Sequence, residues 1–125
     1  MLEVSTIISY QRDRFVDTEE LCLPFFDDVS GTIRGYRIFT ACRTFSGRIF
    51  RLEDHLDRLY NSAKSIHMKP PMGREQLKIV LQELVDRNLQ PSFNGELLID
   101  VVFSGGLAGN SMQQSGTGAY LYMAV

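Results

Sequence analysis

The sequence predicts an α+β domain, an antiparallel sheet packed by two helices, and three observations carry that expectation. Tyr36, Ile38, Thr40 and Cys42 alternate with Arg37, Phe39, Ala41 and Arg43, the period of a strand with two unlike faces. Two stretches carry apolar stripes at helical spacing: Leu56, Leu59, Tyr60, Ala63 and Ile66, then Leu77, Val80, Leu81, Leu84 and Val85. Two further apolar runs, Glu96 to Phe103 and Tyr120 to Val125, read as strands. Strands and helices in separate blocks favour an α+β arrangement.

Taken in order, Val4 to Ser9 reads as an opening strand, Tyr10 to Arg14 as a turn, and Phe15-Val16 as the start of a second strand. Pro24 between Leu23 and Phe25-Phe26 is kept out of a sheet interior, because proline has no amide to donate. Asp27, Asp28, Ser30 and Gly31 read as a loop in which the aspartates make turn or cap hydrogen bonds; no further oxygen ligands mark them as a metal site. Ser46-Gly47 supplies a turn before a short return strand at Arg48 to Phe50, and a helix follows at once. Pro70-Pro71 stops the helical path and Gly73 permits the turn into a second helix from Arg74 to Asn88. Pro91 and Asn94-Gly95 mark a loop. The run from Glu96 to Phe103 is so nearly all apolar that it reads as a strand covered on both faces. Ser104 to Gly118 is a loop rich in glycine, serine and glutamine, and the apolar run after it either completes the sheet or leads into further polypeptide.

A chain of 125 residues, 44% hydrophobic and 22% charged, is one domain, residues 1–125, with a single core. A net charge of −2 provides no basic field for nucleic acid. No apolar run approaches the roughly 20 residues of a membrane-spanning helix, and the first residues lack a signal pattern. Cys22 and Cys42 have no metal-like spacing and read as reduced, buried side chains. A cytoplasmic protein is expected.

Among candidates for chemistry, Arg58 sits beside the first apolar stripe. By spacing alone it pairs with Asp54 at i, i+4, a contact of about 0.2–0.5 kcal/mol on an exposed face. Phe39, one aromatic on a strand, reads from its own environment as core at least as readily as a binding residue. The glycines between Gly105 and Gly109 lack the Gly-Lys-Ser/Thr ending of a nucleotide loop. His55 reads as structural near the start of its helix, and His67 as a helix-end charge complementing the macrodipole. No serine or cysteine nucleophile is placed with either histidine by a recognisable motif.

The stretch Phe39-Thr40-Ala41, the Ser46-Gly47 turn, and Arg48-Ile49-Phe50-Arg51-Leu52-Glu53-Asp54-His55-Leu56-Asp57-Arg58-Leu59 followed by Ser62-Ala63 resembles the class IV, fold-type IV pyridoxal phosphate aminotransferases. That family includes branched-chain and D-amino acid aminotransferases and aminodeoxychorismate lyase. The resemblance runs from about Ile7 to Val125 and covers the family's smaller, N-terminal domain.

The resemblance implies that Arg58 pairs with the cofactor phosphate, since a guanidinium is always charged and matches phosphate oxygens with its fork. It implies that Phe39 and Thr40 line a substrate pocket, with Thr40 where a glutamate is usual. It places Ser104, Gly105 and Gly106 at the start of a loop reaching a partner subunit's site, Ser104 standing where some relatives carry a carboxylate-binding arginine. The family's lysine that bonds to the cofactor belongs to the larger domain, and none of Lys64, Lys69 and Lys78 matches it. The expected function is therefore the N-terminal part of an aminotransferase, moving an amino group from an amino acid to a 2-oxo acid, with no catalytic residue of its own, inactive as this chain alone, and homodimeric. A non-enzymatic interaction or dimerisation module, and a carbon–carbon lyase of the same family, are the alternatives.

Overall fold

The structure is a computed structural model that describes residues 7–89, 95–107 and 119–125. Two strands, β1 (Ile8–Gln11) and β2 (Arg14–Asp17), open the described chain. A 3-10 turn at Thr18–Glu20 and one helical turn, α1 (Val29–Thr32), precede the long strand β3 (Arg37–Phe45). The strand β4 (Arg48–Ile49), the helices α2 (Leu52–Ser65) and α3 (Arg74–Asn88), and the strands β5 (Leu98–Ser104) and β6 (Tyr120–Ala124) follow.

The strands form one six-stranded sheet in the order β2-β1-β6-β5-β3-β4, and each neighbouring pair is antiparallel. The register aligns Thr40, Val101, Met123 and Tyr10 in one row, and Phe39, Val102, Tyr122 and Gln11 in the adjacent row. Adjacent rows point to opposite faces. The first row faces the helices: Val101, Met123 and Tyr10 belong to the same buried cluster as Leu56, Leu59 and Ala63 of α2 and Leu77, Leu81, Leu84 and Val85 of α3. Tyr60 adds an edge-on ring contact to Phe103, 5.5 Å between centroids. Each fully buried leucine contributes about 1.5–3 kcal/mol, so these stripes fix the helices on that face.

The α+β architecture and the stripe of α3 match the sequence expectation; several local readings do not. Tyr10 and Gln11 belong to β1, and the turn is confined to Arg12-Asp13, because Tyr10 packs into the core against Phe15. The expected strand from Val4 to Ser9 falls partly outside the described residues, as does most of the Ser104–Gly118 loop. The Asp27–Gly31 loop contains a helical turn. Helix α2 ends at Ser65, before Pro70, where His67 adopts φ 57°; Ile66 is its C-cap residue and is 37% exposed rather than part of the stripe. His67 therefore lies beyond the helix. Strand β5 is fully covered on the helix face, but on the other face coverage is partial, from Leu98 at 62% exposed to a buried Ser104. Cys42 is buried and Cys22 exposed, and both are free thiols. The Ser46-Gly47 turn is as expected, with φ of 52° and 78° at its two residues, the mirror-image hairpin geometry that favours glycine.

Candidate functional site

Arg58 lies on the outward flank of α2, and its side chain crosses to β3. Its Nη2 donates to Thr40 Oγ1 at 2.7 Å and lies 3.5 Å from His55 Nδ1. Thr40 Oγ1 is also 2.9 Å from His55 Nδ1. A three-residue spacing on the helix brings His55 and Arg58 to one side, and the strand's alternation turns Thr40 toward them. Phe50, Arg51, Asp54, His55 and Arg58 line an open cavity of about 370 Å³. The expected Arg58–Asp54 pair does not form, because Arg51 Nε takes the Asp54 carboxylate at 2.7 Å. Among the described residues no ion pair engages Arg58. A guanidinium with two neutral neighbours and an open cavity beside it is a fitting partner for an anion.

Electrostatics at this cluster are consistent with a neutral histidine. Burial first, then the charges of Arg58 and Arg51, hold the His55 imidazole below its usual range, with Asp54 acting in the other direction. Cys42, two residues beyond Thr40 on the same face, is also neutral, because burial pushes its thiol up to about 11.

The other expected site residues sit across the sheet. Phe39 is 67% exposed on the face away from the helices and is not core. Phe39 and Thr40 therefore point to opposite faces and do not share one surface. Ser104 lies on the Phe39 face, opposite Arg37 in the register, and accepts from Arg37 Nε at 3.2 Å. Gly105 and Gly106 are tied to the α1 segment: Gly105 N–H donates to Tyr36 O at 2.8 Å, Ser30 N–H to Gly106 O at 3.0 Å, and Gly106 N–H to Asp28 Oδ1 at 2.7 Å.

Asp28 was not legible as part of this site. It makes no side-chain cap for α1, its carboxylate is fully buried, and Oδ2 lies 3.5 Å from Arg37 Nη2. Asp28 Oδ2, Arg37 Nη2 and Tyr122 Oη are buried without completing a hydrogen bond. Burial, and next the Asp28 carboxylate, raise the Tyr122 phenol well above its usual value. A separation of 78 positions in the sequence leaves no local signal of the contact between Asp28 and Gly106. Among the described residues no group of acidic, histidine or cysteine side chains has metal-site geometry, and no helix is long and apolar enough to cross a membrane.

A family model for amino-transferase class IV matches residues 37–125. A protein of Methanocaldococcus jannaschii named as a putative branched-chain-amino-acid aminotransferase is 34% identical over 85 residues, 67% of this chain and 29% of its own length. The crystal structure of a branched-chain aminotransferase from Thermoproteus uzoniensis with norvaline superposes with a TM-score of 0.77 at 27% identity, covering 96% of this chain and 40% of that one. A branched-chain amino acid aminotransferase from T.th., solved with pyridoxamine 5'-phosphate, gives a TM-score of 0.75 at 25% identity, covering 98% of this chain and 40% of that one. The chain belongs to the class IV amino-transferase family and has the fold of the fold-type IV enzymes. It spans 29% of the first of these relatives and 40% of each of the two solved chains.

Proposed function

We propose that these 125 residues are the N-terminal part of a pyridoxal phosphate-dependent aminotransferase acting on an amino acid and a 2-oxo acid. The observation that carries the reading is the state of Arg58: a guanidinium held by Thr40, free of carboxylate among the described residues, and bordering an open cavity. Those features suit a phosphate dianion, because the fork can donate two parallel hydrogen bonds to it. When bound, pyridoxal phosphate supplies the electron sink for chemistry at the amino acid's α-carbon. This chain's contribution is to bind and orient. Arg58 holds the phosphate, Thr40 fixes Arg58 from below, and Phe39 offers an apolar wall on the open face of the sheet. Gly105 and Gly106 anchor the turn after β5 on the segment before β3, their N–H groups donating to Tyr36 O and Asp28 Oδ1.

The lysine that bonds to the cofactor lies, in this reading, in polypeptide beyond these residues, in keeping with the 29–40% share of the relatives that the chain spans. The reading also takes the assembly as a homodimer in the cytoplasm. A non-enzymatic module retains one specific argument. Thr40 stands in place of the usual glutamate and is spent on Arg58 and His55, while Ser104 is spent on Arg37.

Arg58→Ala in the natural polypeptide should lower pyridoxal phosphate affinity by about tenfold or more, the worth of a charge-assisted pair. Absorbance of the bound cofactor during dialysis measures it. Cofactor retention equal to that of the unaltered protein would favour the module, and elution of the unaltered holoprotein as a monomer in gel filtration would remove the dimer.

A further inference from the structure

We propose that His55 is a positioning residue for Arg58, acting as a neutral Nε2–H tautomer whose Nδ1 accepts a hydrogen bond from the Thr40 hydroxyl. This inference rests on the reading of Arg58 as the anion-binding group. Its basis is the donor and acceptor count at three atoms. Arginine has only donors, so Nη2 must donate to Thr40 Oγ1 at 2.7 Å. With Oγ1 accepting there, its hydrogen is free to point at the nearest acceptor, His55 Nδ1, at 2.9 Å. Arg58 Nη2 also faces that nitrogen at 3.5 Å. A hydrogen on Nδ1 would set donor against donor, so Nδ1 is bare and the hydrogen sits on Nε2.

The arrangement fixes one end of the guanidinium and leaves its other N–H groups for an incoming anion. Thr40 alone could rotate its hydroxyl away; His55 gives that hydroxyl one preferred direction. Protonating His55 would reverse the effect, by adding a hydrogen to Nδ1 and a second positive charge beside Arg58. The groups facing the imidazole are Arg51, Asp54 and Arg58 on the α2 side and the uncharged Thr40 on β3. Of these, Arg51 and Asp54 are paired with each other. The lowered proton affinity of His55, set first by burial and then by Arg58, agrees with a neutral working form.

Sulfate tests this directly, because it stays dianionic between about pH 5 and 8 while histidine titrates. The full 125-residue chain, labelled with ¹⁵N, would be titrated with sodium sulfate across that range, following the His55 ring nitrogens and Arg58 guanidinium protons by NMR. The expected result is an Nε2–H tautomer and a sulfate affinity that falls about three- to tenfold as His55 protonates, the worth of one hydrogen bond. His55→Asn places an amide oxygen near the Nδ1 position, so it should keep the affinity and remove the pH dependence. His55→Ala should bind more weakly than the unaltered chain at the pH values where His55 is neutral, with no pH trend of its own and with faster rotation of the Arg58 guanidinium. An Nδ1–H tautomer, or sulfate binding that tightens as pH falls and loses that trend in His55→Asn, would overturn the proposal. Equal sulfate binding by Arg58→Ala would overturn the anion reading alone, whereas unchanged Arg58 rotation in His55→Ala would overturn the positioning role alone.

Discussion

Two arginines reach opposite faces of β3, each donating to a hydroxyl, and their surroundings give them different work. Arg37 donates to Ser104 and faces the fully buried carboxylate of Asp28. Arg58 donates to Thr40, and among the described residues no ion pair involves it. The first charge is compensated inside the protein and joins α1 to the turn after β5. The second has no such partner among the described residues. A hydroxyl contact is common to both, so the carboxylate is what separates Arg37 from Arg58, the arginine proposed to bind an anion.

That contrast can be broken from either side. The largest effect on stability should come from Asp28→Ala, which strips the acceptor from Gly106 N–H and leaves Arg37 unbalanced against a buried site. Breaking a buried pair costs about 3–5 kcal/mol, and because the Arg37 side chain is 29% exposed the lower end is expected. Arg58→Ala should change stability by less than about 1 kcal/mol, since the residue is exposed. Urea midpoints for the two variants compare them directly, and equal losses would dissolve the distinction.

A smaller effect of the same kind is expected at Gly31. A Cβ there would overlap Ser104 Oγ and come 2.7 Å from Arg37 Nη2 and 2.9 Å from Asp28 Oδ1. Gly31→Ala should cost about 1–3 kcal/mol by overpacking, read in the same denaturation experiment. It should leave the Arg58 cavity untouched, so sulfate binding at Arg58 should not change.

The smallest effect concerns pH and belongs to the Arg58 face alone. The folded protein holds His55 below its ordinary proton affinity, so the unfolded chain binds this proton more readily. The resulting stability is present above the unfolded value of about 6.5 and is lost as pH falls toward the lower folded value. The drop in urea midpoint below that pH should shrink in His55→Asn, and an unchanged slope would place the titration elsewhere.

Much of the fold was legible because it is written in local periods. The stripe Leu77, Val80, Leu81, Leu84 and Val85 is buried as expected, as is the alternation that turns Thr40 and Cys42 inward. Reading Tyr10 and Gln11 as a turn failed because their polarity was weighed without the β6 strand that pairs with them. Reading β5 as covered on both faces held only toward Ser104 and not at Leu98, because an apolar run cannot say how far a second layer extends along it. At the site, Arg58 and Thr40 could be singled out by motif, but their direct bond could not. The Arg58–Asp54 pairing that spacing suggested was pre-empted by Arg51, a nearer competitor for the same carboxylate.

The sequence by itself determined the principal strands and the two long helices, because hydrophobic period is a property of short segments, and it marked Arg58 through the likeness of its motif to a family. Only the tertiary structure decided which charges are spent. Asp28 meets Gly106 across 78 positions in the sequence, and the register of β3 against β5 sets Arg37 beside Ser104. The same register sends Phe39 and Thr40 to opposite faces. The Coulomb energy of a side chain depends on its neighbours in space and on their exclusion of water, and neither is encoded at its own position in the chain.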